Sequence, residues 1–326
     1  MTRRLLSLGS LGPLALLAFL AVITAATPAS AQQRLKILLD TDIASDIDDA
    51  WALGLLIASP DVELVGVTIT DGNTPARAKV ACKLLHVTGR DDVPVAVGRQ
   101  TPPPSQVDYQ FSWAEDFTAK QPIAQPAADF IVEMLRKHPG EITLVAVGPL
   151  QNVADALRKE PRLGQLTKRV VLMSGSIGGN AWSSHAVPEW NVVRSTADAQ
   201  IVYAAGLPLT TIPLDSTTYI TLKPEERERL QADLSPLTRS LEALYRLWLN
   251  DHATRMTLHD QMAVGETLRP GAFFNRCESL PIRVDDQGYT KVDRSGGKPV
   301  QVCFEPKRDE FMSFYLAGLL AFGKPH

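Results

Sequence analysis

The stretch Leu35-Lys36-Ile37-Leu38-Leu39-Asp40-Thr41-Asp42-Ile43-Ala44-Ser45-Asp46-Ile47-Asp48-Asp49-Ala50 runs from an apolar strand pattern directly into five aspartates. Carboxylates so close together repel by on the order of 4 kcal/mol per pair at 4 Å and an effective dielectric of 20. A folded chain tolerates them if they are solvated, protonated or neutralised by a cation, and hard oxygen donors suit Ca²⁺ or Mg²⁺. A helix pattern, 49–58, follows the acids. The unit is therefore a buried strand, a polar loop and a helix.

The same alternation continues outward. Strand patterns at 62–70, 93–97, 142–147, 170–173 and 209–213 are separated by helical patterns at 75–85, 124–137, 152–158 and 196–205. Strands that are apolar throughout, each followed by a helix, predict an α/β fold with an open, largely parallel sheet covered by helices on both faces. The remainder reads as added C-terminal helices at 223–233, 237–250, 260–266 and 308–321, with two strand candidates at 281–284 and 299–304. The Pro-rich stretch 100–125 reads as a functional loop. In such sheets ligands bind at the carboxyl ends of the strands. The polar clusters obey that rule: 40–49, Asp71-Gly72-Asn73, Gly148-Pro149-Leu150-Gln151-Asn152 and 174–180 each follow a strand.

The chain opens with Arg3 and Arg4, an apolar run from Leu11 to Ala26 and the small-residue site Ala29-Ser30-Ala31. That is the pattern of a secretory signal cleaved after Ala31, and it predicts export to the periplasm or the medium. Residues 32–326 would then form a single domain. The 326 residues carry a net charge of −3 and no basic stripe, which excludes an electrostatic nucleic-acid surface. No later apolar run is long enough to span a bilayer. Of three cysteines, Cys277 and Cys303 are candidates for a disulfide in an exported protein, with three buried thiols as the alternative.

The motifs together resemble the inosine-uridine preferring nucleoside hydrolase family, calcium-dependent N-ribohydrolases. The resemblance rests on Asp40-Thr41-Asp42 with Asp48-Asp49-Ala50, Asp71-Gly72-Asn73, Val147 to Asn152, Met173-Ser174-Gly175, Glu189-Trp190-Asn191 and His259-Asp260, in the family's order. It implies a Rossmann-like sheet and hydrolysis of ribonucleosides to ribose and free base. It implies Ca²⁺ held by Asp42, Asp49, Asp260 and the carbonyl of Val147. Asp42 is implied as the base that takes a proton from the attacking water, and Asp48, Asn73, Asn180, Glu189 and Asn191 as sugar contacts. His259 is implied as a donor to the leaving base, a role open to an imidazole near neutral pH. Asp40 would support the loop by hydrogen bonds. Trp113, Trp182 and Trp190 are candidates for stacking on the base, whereas Tyr245 and Trp248 read as core. The family is often a homodimer or homotetramer.

The chain departs from the family pattern in four places, one of them Val147, which keeps the carbonyl ligand and loses the hydroxyl of the Thr often found there. Ile43 to Ile47 replaces a shorter Pro-Gly connection, which leaves Asp46 without an assigned role. Residues 180–189 form a longer segment than usual. Tyr109 to Trp113 stands where a His-Gly element is expected. A dehalogenase-type phosphatase would need Thr or Val where Ala44 stands, and an EF-hand would need Gly at Ser45 and Glu at Trp51. Hydrolysis of another N-riboside, or calcium-dependent sugar binding without catalysis, remain as alternatives.

Overall fold

A computed structural model describes residues 1–2, 34–102, 109–250 and 255–324. The signal pattern at 3–31 lies outside the described residues. Nine strands form one sheet: β1 (Leu35–Thr41), β2 (Val62–Ile69), β3 (Val95–Val97), β4 (Thr143–Ala146), β5 (Arg169–Met173), β6 (Leu209–Ile212), β7 (Phe274–Val284), β8 (Thr290–Val292) and β9 (Lys298–Pro306). Their order is β3-β2-β1-β4-β5-β6-β9-β7-β8. The first seven in that order pair in parallel, and β7 runs antiparallel to both β8 and β9.

The period of two along each central strand sends successive side chains to opposite faces. Ile37 and Leu39 of β1 join Val145 and Val171 in one buried cluster, while Leu38 joins Leu144 and Val170 in another. The sheet thus has a core on each face, as expected for strands without a polar side. Among the described residues no helix is long and apolar enough to cross a membrane.

The C-terminal part differs from the sequence reading. The helices are present, but β7 begins at Phe274 and a third short strand, β8, extends the sheet. The first half of β7 is largely exposed or half-buried, so it lacks the apolar run that marks a strand. Its pairing with β9 holds it instead, and Cys277 lies opposite Cys303 in a disulfide. The bond joins residues 26 apart. Replacing both cysteines by serine is expected to lower the unfolding free energy by about 3 kcal/mol, through the loop entropy restored to the unfolded chain. A urea melt measures this, and an unchanged midpoint would mean that strand pairing alone holds the hairpin.

The strand order places the site. From β1 the chain moves to β2 and β3 on one side, then returns to β4 on the other side of β1. Diverging connections at β1 and β4 open a crevice at their carboxyl ends. Asp42 follows β1 there and Val147 follows β4.

Candidate active site

A cavity of about 460 Å³ opens at this crevice. Its lining includes the carboxylates of Asp42, Asp46, Asp48, Asp49, Glu189 and Asp260. Beside them stand Val147 and Asn191, and a less polar wall of Met173, Trp182, Val187, Pro188, Trp190, Leu214 and His259.

Two helices bring acids together by their first turns. Asp48 and Asp49 open the helix Asp48–Ala58, and Asp260 lies in the first turn of His259–Leu268. Unpaired N–H groups and the helix dipole favour negative charge at both ends. Asp260 N donates to Asp48 Oδ2 across 3.3 Å. One carboxylate oxygen from each of Asp48, Asp49 and Asp260 lies within 4.8 Å of the other two. All three residues are 3% exposed. Burial first, and repulsion from neighbouring acids second, hold their carboxyls well above the usual range. A buried, oxygen-only set of carboxylates with this repulsion fits a hard divalent cation.

Asp42 is placed from three sides. Ser45 Oγ donates to its Oδ2 across 2.8 Å. A Cβ on Gly148 would lie 2.7 Å from Asp42 Oδ1, so the bare glycine lets the β4 loop approach the carboxylate. Arg77 is fully buried, and its guanidinium donates to the carbonyls of Asp42, Ile43 (3.1 Å) and Asp71 (2.9 Å). Burial raises the Asp42 carboxyl to about 6, and the Arg77 charge and the Ser45 hydroxyl oppose that rise. The extra loop residues close over this arrangement. Ala44 takes a φ of 77°, a left-handed conformation costly for a residue with a Cβ. Gln110, on the short helix Tyr109–Trp113, donates to the carbonyls of Ser45 and Asp46, each at 3.2 Å. Asp40 lies beneath the loop, accepting from Thr68 Oγ1 (2.6 Å) and Asn152 Nδ2 (2.7 Å), and burial raises it to about 7.

Glu189 and Asn191 are brought to the cavity by a short helix, Trp190–Val193, rather than the extended segment their spacing suggests. Glu189 is its N-cap and accepts from the backbone N–H of Gly175 (3.0 Å) and Asn191 (2.8 Å). Burial raises its carboxyl to about 7, against the pull of those N–H donors. Asn191 Nδ2 donates to the carbonyls of Val147 (2.7 Å) and Met173 (3.0 Å). The amide therefore orients the Val147 carbonyl, the backbone oxygen expected at a cation. His259 stands at the other side, with its Nδ1 2.7 Å from Thr217 Oγ1 and its ring 5.4 Å from that of Trp182. Its surroundings strip water from the ring and lower the imidazole to about 4, so it is neutral at pH 7.

The structure thus joins Asp42, Asp48, Asp49, Val147, Glu189, Asn191, His259 and Asp260 around one cavity. It places two expected sugar contacts elsewhere. Asn73 is exposed and caps the helix Thr74–Val87, its Oδ1 accepting from Ala76 N across 3.2 Å. Asn180 folds its own turn, its Oδ1 accepting from Trp182 N and Ser183 N at 2.9 and 3.1 Å. Both are residues whose short amide competes for local backbone. Trp113 is packed under the Lys83 ammonium, away from the cavity, while Trp182 and Trp190 line it. Tyr245 and Trp248 are buried in the core, as read. Arg77, Gln110 and Thr217 are not singled out by the sequence; each acts through a contact distant in the chain that no local pattern announces.

The sequence model of the inosine-uridine preferring nucleoside hydrolase family matches residues 37–313. The pyrimidine-specific ribonucleoside hydrolase RihA of Citrobacter koseri is 30% identical over 312 residues, covering 88% of this chain and 98% of that protein. The non-specific ribonucleoside hydrolase RihC of Salmonella newport is 32% identical over 284 residues, covering 81% and 90%. The solved structure of a plant nucleoside hydrolase superposes with a TM-score of 0.76 at 23% identity, over 88% of this chain and 99% of that one, which agrees with the fold. The acidic crevice at the β1/β4 switch point, and a match spanning nearly the whole described sheet, place this chain in the inosine-uridine preferring nucleoside hydrolase family.

Proposed function

We propose that the protein hydrolyses the N-glycosidic bond of ribonucleosides with Ca²⁺ bound, Asp42 as the general base, and the base of the nucleoside against Trp182, Trp190 and His259. The observation that carries this reading is that one cavity is lined both by the clustered carboxylates of Asp48, Asp49 and Asp260 and by the paired rings of Trp182 and His259. Asp42, Asp49, Asp260 and the Val147 carbonyl would hold the cation, with Asp48 close enough to share it. Oxygen donors alone, several of them able to bind through two atoms, favour Ca²⁺ with its six to eight ligands. A bound cation would supply Lewis-acid charge beside the ribose hydroxyls and the attacking water.

The residues then divide the work. Glu189, Asp48 and Asn191 line the same cavity and would offer acceptors and donors to the ribose hydroxyls. Asp42 takes a proton from water as the water oxygen bonds to C1′. The C1′–N bond breaks with positive charge developing on the ribose ring. Carboxylates of the cavity that neither hold the cation nor take the proton would stabilise that charge. The bond's electron pair leaves with the base, to which His259 on the cavity lining would donate.

The test is a panel of purine, pyrimidine and nicotinamide ribosides with the calcium-loaded protein, assayed for reducing sugar. Release from at least one riboside is expected, and none from the matching 2′-deoxyriboside at comparable rate. No turnover of any riboside would overturn the enzyme reading. Export is proposed as well, supported by the Arg3-Arg4, Leu11–Ala26 and Ala29-Ser30-Ala31 pattern and by the Cys277–Cys303 disulfide.

A further inference from the structure

We infer that Thr217 is a positioning residue for the departing base: its hydroxyl donates to His259 Nδ1, which keeps the imidazole hydrogen on Nε2, the nitrogen left free to face the cavity. The inference rests on the hydrolase reading above and assigns the leaving-group side of the same site.

Four consecutive polar side chains, Asp215 to Thr218, organise that side. The Asp215 carboxylate accepts from the N–H of Ile177 (2.9 Å) and Gly178 (2.5 Å). Ser216 Oγ donates to the carbonyl of Cys303 on β9 across 2.7 Å. Thr217 Oγ1 meets His259 Nδ1 at 2.7 Å. Thr218 Oγ1 accepts from Ala181 N at 3.0 Å and donates to Leu214 O at 2.8 Å. The short helix Leu214–Thr217 is thereby tied to β9 and to the 177–181 loop that leads into Trp182, and it presents one hydroxyl to the histidine.

The direction of the Thr217 bond follows from its surroundings. Thr217 is fully buried, and among the described residues its hydroxyl has no hydrogen-bond partner besides Nδ1. A buried hydroxyl donates to an acceptor when one is in reach. A neutral imidazole carries its hydrogen on one nitrogen, so a donor at Nδ1 leaves Nε2–H as the ring's own donor. The alternative tautomer would turn an acceptor lone pair toward a base that gains electron density as the C1′–N bond breaks. With Nε2–H outward, the ring donates a hydrogen bond to that electron pair; no proton need leave the ring.

The experiment compares two leaving groups. A nucleoside base departs poorly and needs a hydrogen-bond donor, whereas the nitrophenolate of 4-nitrophenyl β-D-ribofuranoside departs unaided. In T217V, kcat on the best nucleoside is expected to fall about 30-fold with KM little changed. On the nitrophenyl riboside it should stay within about 3-fold, and T217S should recover most of the nucleoside rate. Equal falls on both substrates, or no fall on the nucleoside, would overturn the role of Thr217. A second readout needs no variant: ¹⁵N NMR of histidine-labelled protein should show the His259 ring hydrogen on Nε2, and a hydrogen on Nδ1 would overturn the inference. Failure of the unaltered protein to cleave either riboside would instead overturn the hydrolase reading itself.

Discussion

Asp42→Asn is expected to reduce turnover of the best riboside by about 10³-fold, the middle of the range for loss of a positioned general base, while the protein keeps its fold and most of its affinity for the cation. The substitution preserves shape, so the amide still fits beside the bare Gly148 and can still accept from Ser45. What it removes is the charge that accepts the water's proton. Burial raises this carboxyl to about 6 in the metal-free protein, and a bound cation would keep it ionised and ready to accept that proton. The cation retains Asp48, Asp49 and Asp260, whose oxygens cluster without Asp42. The buried Arg77 guanidinium keeps its backbone acceptors, so the loop stays anchored. Reducing-sugar release gives the rate, and calcium titration gives the affinity. If turnover and calcium affinity fall in parallel, Asp42 is a ligand without a proton role; if turnover is normal, the base lies elsewhere.

The parallel core and the position of the site were legible in the sequence because both rest on local pattern. Apolar strands and following helices set the sheet, and the polar clusters after β1, β4 and β5 set the edge on which the cavity opens. His259 and Asp260 join it from a helix remote in sequence, a link carried by the family resemblance rather than by periodicity. Residues whose roles depend on loop shape were not legible. Asn73 and Asn180 read as ligands; the Oδ1 of each is held by nearby backbone N–H groups, and neither residue lines the cavity. Arg77 reads as one more charge on an amphipathic helix. Only the folded loop, with three carbonyls converging on it, draws the guanidinium inside. Residues 274–280 of β7 escape the sequence reading for the converse reason: their stability comes from pairing and a disulfide, and they are too polar to announce a strand.

Removing divalent cations should abolish turnover and make stability depend on pH in an unusual direction. Burial lifts Asp40 to about 7, Asp42 to about 6 and Glu189 to about 7, and Asp48, Asp49 and Asp260 also lie above their ordinary values. In the unfolded chain these acids titrate near 4. Between about pH 4 and 7 these acids therefore hold more protons in the folded protein than in the unfolded chain. His259, lowered to about 4, acts in the opposite sense, but one imidazole is outnumbered by six acids, so stability falls as pH rises through that window. Most proteins acquire carboxylate stability in the same range; here the metal-free form loses it. A bound divalent cation reverses the balance, because its ligands must be ionised and binding releases their protons. At 100 times its dissociation constant it adds about 2.7 kcal/mol. The expected result is a metal-free melting temperature higher at pH 5 than at pH 7.5, and a calcium-induced rise at pH 7.5 of about 5 °C or more that shrinks toward pH 5. Scanning calorimetry at the two pH values, with chelator and with calcium, checks both signs. A metal-free protein that is more stable at pH 7.5, or a calcium shift that is no smaller at pH 5, would mean that these buried acids are paired in a way that does not require a cation.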